Sequence, residues 1–237
     1  MLDYEIWIDN VSNKDVGVRL QGAVEISSAV PRVESVEIPG RNGELHFWDG
    51  SFENRTATVG AYAYRPKFVK SSFGAINQWL LGSVSYRKLV TDDDPDHYMM
   101  VRVTNSAEIA TRIRRIAPFE IEFDCKPQRF LTIGEESVII SKNTTIENPT
   151  IFASKPLCKI NGSGAGVLTI GAYTLNISEI DGYLYYDAET QTAYKGTVNK
   201  NNTIYAPNGL LFEGGEQPIN FSGGITSVEI IPRWWEL

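Results

Sequence analysis

Apolar and polar side chains alternate with a period of two over much of this chain. The clearest run is FEIEFDC (119–125), in which Phe119, Ile121, Phe123 and Cys125 fall on one side and Glu120, Glu122 and Asp124 on the other. That spacing predicts a strand with one buried face. YEIWI (4–8) reads as a strand, ESVEI (34–38) alternates Val36 and Ile38 against charged neighbours, and RTATVGAYAY (55–64) alternates weakly. Residues 88–103, KLVTDDDPDHYMMVRV, read as strand, acidic turn, strand, with Pro95 in the turn. One segment breaks the period. In SSFGAINQWLLGS (71–83), Phe73, Ile76, Trp79 and Leu80 share a helical face, the leading serines can cap it, and Gly82 suits its end.

The second part of the chain carries only short strand signals: 157–162, 166–171, 173–178, 182–187, 192–197, 219–223 and 227–235. Gly162–Gly166, Gly171–Ala172, Asp181–Gly182 and Gly223–Gly224 read as the turns between them. Many short strands with no helix predict an antiparallel sandwich or jelly roll. The polar, non-periodic stretch SKNTTIENP (141–149) reads as a linker, giving domains at 1–140 and 141–237. The fold class is therefore mainly β, with one short helix in the first domain and a β-sandwich in the second.

Composition narrows the function. The 237 residues are 42% apolar, enough for a sizeable core, and the formal net charge is −7. Through residue 130 there are 16 Lys and Arg against 18 Asp and Glu; beyond it, 6 against 11. A duplex-binding protein that neutralises phosphates needs a basic face, so sequence-specific DNA binding is not expected. No apolar run approaches the roughly 20 residues of a membrane-spanning helix. The start, MLDYEIWIDN, lacks the pattern of a secretory signal, so synthesis in a cytoplasm is expected. Cys125 and Cys158 are too few for a disulfide-built fold and read as buried free thiols.

Motifs for chemistry are sparse. IPGRNG (38–43) lacks the spacing of a phosphate-binding loop, and GSGAG (162–166) is not followed by a helix, so both read as turns. Substitution of Gly40 or Gly43 is expected to damage folding if either holds a positive φ, where a side chain would be strained. His46 and His97 are isolated, and Asp92, Asp93, Asp94 and Asp96 lack the spacing of a calcium loop; no metal or cofactor is expected. No nucleophile elbow or triad is legible, so no catalytic residue is assigned. Tyr183, Tyr185, Trp234 and Trp235, with Tyr186 and Tyr194, could form a sugar-stacking platform; ordinary sandwich core is the plainer reading of the same aromatics.

The order of these features resembles the distal tail protein (Dit) family of long-tailed bacteriophages, in the compact form found in phages and prophages of Gram-positive hosts. The resemblance rests on IPGRNGELHFWDGSFENR, the helix INQWLLG, the hairpin DDDPDHYMMVRV, FEIEFDCKPQRF at the close of the first part, ENPTIFASKPLCKINGSG opening the second, and the terminal VEIIPRWWEL. Each motif is short, and together they span nearly the whole chain. The resemblance implies an N-terminal β-rich belt domain that closes head to tail into a hexameric ring, and a galectin-like or carbohydrate-module-like sandwich at its periphery. It implies a structural, non-enzymatic role at the distal end of the tail, in the virion. The partners it implies are further copies of the chain, the tail tube protein and the tail-associated hub, fibre or receptor-binding proteins, with rings that could stack. DNA would pass through the lumen unbound, and no membrane insertion is implied. Gly40, Arg41, Gly43, Asn54 and Arg55 are the turn and interface candidates, since an Arg fork suits a carboxylate across an interface or within a buried turn. The runner-up function is a carbohydrate-binding module for host cell-wall saccharide; a hydrolase on the sandwich ranks third.

Overall fold

The computed structural model describes residues 3–64, 73–105 and 116–237. The chain divides into two compact units, Met1–Arg129 with Leu237, and Phe130–Glu236. Both are built from β-sheet, and no helix of the described residues is long and apolar enough to cross a membrane.

The first unit contains β1 (Ile6–Ile8), β2 (Val11–Ser12), β3 (Val18–Leu20), β4 (Glu25–Ile26), β5 (Pro31–Glu37), β6 (Glu44–Phe52), β7 (Arg55–Tyr64), α1 (Phe73–Leu81), β8 (Arg87–Thr91), β9 (Asp94–Val103) and β10 (Ile116–Leu131, whose last two residues fall in the second unit). The main sheet runs β2-β1-β8-β9-β10-β7-β3, with β4 also on β7. Its centre is the antiparallel pair β7–β10, in register from Ile116 opposite Tyr64 to Cys125 opposite Arg55. The period-two reading holds here: Ile121, Phe123 and Cys125 face the core with Ala57, Val59, Ala61 and Ala63. Ile76, Trp79 and Leu80 of α1 join the same cluster, and Phe73 packs at its edge. A helix of nine residues is too short to stand by propensity alone, so this packed face holds it. The serines expected to cap it, Ser71 and Ser72, lie outside the described residues.

Pro95 is not in the acidic turn. Asp92 and Asp93 make the turn, Thr91 pairs with Asp94, and Pro95 lies within β9 beside a register shift between Leu89 and Thr91 of β8. A residue with no N–H is tolerated where the ladder is already interrupted.

The second unit contains β11 (Val138–Ile140), β12 (Thr144–Asn148), β13 (Leu157–Ile170), β14 (Tyr173–Asp187), β15 (Thr192–Lys195), β16 (Val198–Asn199), β17 (Ile204–Tyr205), β18 (Gly215–Ile231) and β19 (Trp235–Glu236). The sheet order is β11-β18-β13-β14-β15-β16, with β12 on β18 and β17 on β14. The stretch 141–149, read from its polarity as a linker, contains β12, which pairs with β18 from Thr144 opposite Ile219 to Asn148 opposite Gly215.

Three expected turns are not turns. Gly162–Gly166, Asp181–Gly182 and Gly223–Gly224 lie inside the long strands β13, β14 and β18, and six expected strands become three. The glycines meet across the sheet: Gly162 is opposite Gly182, and Gly166 opposite Gly223. Register shifts occur at this line. A Cβ on Gly162 would run into the Gly224 carbonyl, and one on Gly224 into the Ser163 carbonyl. Missing side chains thus let three adjacent strands bend together, as bulges and glycine kinks do in curved sheets. Ile160 on one side of the bend and Leu168 and Ile170 on the other share one buried cluster. The bent sheet closes over its own core as an antiparallel sandwich.

Candidate functional site

The segment IPGRNG is the tip of an exposed hairpin formed by β5 and β6, which is a two-stranded sheet of its own. Gly40 and Gly43 have φ of 80° and 83°, and the Arg41 N–H donates to the Ile38 carbonyl at 3.1 Å. The turn therefore needs glycine for conformation at both positions. Arg41 is exposed at this tip. Every residue of β5 is exposed, and Phe47 and Trp48 of β6 are each 54% exposed. Val36, Leu45 and Phe47 share one face by register, Val33 and Trp48 the other. The indole N–H of Trp48 donates to the Ser51 carbonyl at 2.7 Å, and its ring meets Phe52 edge-on at 5.5 Å. Asp49 accepts from the Ser51 hydroxyl and N–H, which lowers its carboxyl below the usual range. These contacts order the aromatic segment without covering it.

Asn54 and Arg55 follow β6 after Glu53, and the structure separates their roles. Asn54 Nδ2 donates to Tyr86 Oη at 2.7 Å and to Asp124 Oδ1 at 2.8 Å. Tyr86 donates to Asp124 Oδ2 at 2.7 Å, and Arg102 Nη2 lies 3.2 Å from the same oxygen. Burial alone would raise the Asp124 carboxyl; the donors Tyr86 and Asn54 and the Arg102 charge outweigh it, so it titrates below the usual range. Tyr86 is pushed up, by burial first and then by its bond to Asp124. Arg55 points inward and is 7% exposed, whereas Arg41 stands in solvent, so the two candidate arginines occupy opposite ends of the hairpin.

Arg87 was not singled out by its sequence context. Its Nη1 and Nη2 donate to the carbonyls of Trp79 and Leu80, each at 2.6 Å, in the last turn of α1. A cation at a helix C-terminus meets the negative end of the helix dipole and satisfies carbonyls with no partner in the helix. Eight residues separate Arg87 from Trp79, so only the fold brings them together.

In the second unit, Tyr185 stacks on Tyr194 at 5.3 Å and meets Tyr183 edge-on at 5.9 Å. The register extends this row to Lys159 and Asn161 on β13 and Glu229 on β18. Lys159 donates to Glu229 at 2.8 Å and Asn161 reaches the same carboxylate at 3.3 Å, holding it below the usual range. Trp234 and Trp235 are engaged elsewhere. Trp234 is 7% exposed and edge-on to Phe212, while Trp235 stacks on Phe152 at 4.5 Å and donates to the Ala153 carbonyl. Tyr186 is core. Among the described residues no group of three or more His, Cys, Asp or Glu is placed to hold a metal ion.

With this geometry in hand, comparison with solved structures places the fold. The chain is similar to the crystal structure of the SPP1 Dit protein (gp 19.1), described as a paradigm of the hub adsorption apparatus in phages infecting Gram-positive hosts. The TM-score is 0.68 at 11% sequence identity, over 99% of each chain. The fold is Dit-like. No family profile and no curated relative matches the sequence. The likeness thus lies in the path of the chain across both units, with nearly all side chains replaced.

Proposed function

We propose that this protein is a structural component of a siphophage tail tip, a homo-hexameric ring that joins the tail tube to the hub and receptor-binding proteins and leaves a channel for DNA. The observation that carries the reading is the Dit-like fold along 99% of the chain. The β5–β6 hairpin supports it. A two-stranded sheet is marginal by itself, and this one exposes apolar side chains on both faces. A second copy of the chain is the occupant that suits it: a ring closes through two different faces, one extended and one receiving. The negative net charge favours passage of DNA over retention. In this reading the protein is not an enzyme, needs no cofactor, and resides at the distal end of the tail after synthesis in the host cytoplasm.

Native mass spectrometry and low-resolution imaging of the purified full chain test it. The expected species is a six-fold ring with a central hole, at six times 26.4 kDa or a stacked multiple. A strictly monomeric protein at micromolar concentration and near-physiological salt overturns it.

A second reading concerns the second unit alone, as a binder of host cell-wall saccharide. The row Tyr183, Tyr185 and Tyr194 beside Asn161, Lys159 and Glu229 favours it, since half-buried aromatic faces flanked by hydrogen-bonding groups suit sugar rings. Binding on a glycan panel that is lost in Tyr185→Ala supports this; no binding across the panel leaves the row as scaffold.

A further inference from the structure

Arg55 is the one charged side chain of the described residues that is more than nine-tenths buried. Its Nε and Nη2 are buried with no acceptor among the described residues. A guanidinium does not shed its proton at physiological pH, so burial leaves a charge whose Nε and Nη2 hydrogens lack acceptors among the described residues. Leaving such a charge unpaired is strongly unfavourable. The neighbours do not answer it. The Cys125 thiol is pushed up to about 12 and stays neutral, and Arg129 adds a second positive charge.

Arg55 lines a cavity of about 280 Å³ with Arg129, Ser27, Ser28, Thr91 and His97. Two carboxylates also reach its wall. Asp94 is engaged by His97 at 2.7 Å and faces Arg129 Nε at 3.6 Å; Asp93 is exposed in the acidic turn. Ser27 accepts the Thr56 N–H through its hydroxyl oxygen, at 2.9 Å. Since a water occupies about 30 Å³ of liquid, the cavity has room for a phosphate or carboxylate group and several waters. We propose that this cavity is an oxyanion site, with Arg55 as its anchoring cation and the Ser27, Ser28 and Thr91 hydroxyls as further donors.

The position gives the site a consequence. Ser27 and Ser28 lie just before β5, and Arg55 begins β7 just after β6, so the cavity sits at the base of the exposed hairpin. An anion there bridges both ends of that hairpin and fixes how it leaves the sheet. The oxyanion comes either as a free ion or as a side-chain carboxylate of a second copy. The site itself does not depend on the ring proposed above.

The test is titration of the full chain with inorganic phosphate at constant ionic strength, followed by calorimetry and by the arginine Nε–Hε NMR signals. Saturable one-site binding that shifts the Arg55 signal is expected, weakened about tenfold in Arg55→Lys, which keeps the charge but loses the fork, and abolished in Arg55→Met. Should Arg55→Met fail to fold, the wild-type Arg55 signal and the Lys variant decide. A wild type that ignores phosphate, but whose self-association weakens about tenfold in Arg55→Lys, assigns the oxyanion to a second copy. Phosphate binding unchanged in Arg55→Lys with an unmoved Arg55 signal overturns the site. So does a wild type that ignores phosphate and self-associates no better than the Lys variant.

Discussion

Gly224 on β18 lies against the carbonyl oxygen of Ser163 on β13, with no room for a Cβ between them. Gly164, two residues from Gly162 on β13, has open space around it but a φ of 84°. The two glycines are therefore needed for different reasons, space for one and backbone conformation for the other.

Their substitutions should separate accordingly. Gly164→Ala is expected to cost about 1–2 kcal/mol, the strain of a left-handed L-residue. Gly224→Ala must push two backbones apart at the bend and should cost more, about 3 kcal/mol, at the top of the range for overpacked sites. Urea unfolding of both variants measures this; equal and small losses would show that the bend does not depend on contact between the strands.

Arg87→Met removes two charge-assisted hydrogen bonds from the end of α1 and leaves the Trp79 and Leu80 carbonyls without their donors. The expected loss is about 1.5–3 kcal/mol, partly restored in Arg87→Lys, which keeps the charge without the fork. Faster amide exchange should appear in α1 before the central strands. An Arg87→Met protein as stable as wild type would mean that water replaces the guanidinium without loss.

Asp124 has a carboxyl lowered in the folded protein, against an ordinary value of about 3.9. Its contribution is fully present above that ordinary value and is lost as pH falls through the depressed one. Asp124→Asn should therefore be less stable than wild type at pH 7, and the gap should close in acid below about pH 4. Unfolding curves at pH 7 and pH 3 report it. A gap that is constant with pH would assign the loss to geometry rather than charge.

The exposed hairpin carries the assembly claim. Phe47→Ser with Trp48→Ser, on opposite faces, should cost the folded chain only about 1–2 kcal/mol, the scale of the Trp48 indole bond and its ring contact with Phe52, because both side chains are more than half exposed. The same pair should abolish self-association in sedimentation. Arg41→Ala at the tip should weaken association while leaving the melting temperature unchanged. Wild-type assembly in both variants would remove the hairpin from the interface.

Both thiols are buried, and burial raises each to about 12. Since the thiolate is the reactive form, neither Cys125 nor Cys158 should be alkylated at pH 8 in the native protein, and both should react within minutes in denaturant. Mass spectrometry of the labelled chain distinguishes the states. Labelling of Cys125 under native conditions would show that the sheet around Arg55 opens.

Local pattern made much of the architecture legible. The alternation in 119–125 identified the buried face of β10, the 3.6-residue spacing identified the packed face of α1, and the two glycines of IPGRNG identified a turn with left-handed residues. These features are local because backbone conformation and side-chain direction follow from neighbours in sequence. The saccharide candidates divided: the tyrosines share a sheet face, while Trp234 went to the core, because both kinds of position accept an aromatic ring.

Neighbouring residues dictate which side chains share a face and where the backbone must turn. Whether a face is covered, and what lies across from it, depends on packing between segments far apart in the chain. ESVEI alternates like a core strand yet stands in solvent, since periodicity carries no information about a partner layer. Gly182 and Gly223–Gly224 read as turns because their contacts with β13 come from residues far along the chain, where register rather than local sequence brings the strands together. FENR leaves open whether Arg55 meets an interface or a buried turn; its place opposite Cys125 on β10 and in a cavity wall makes it a buried charge.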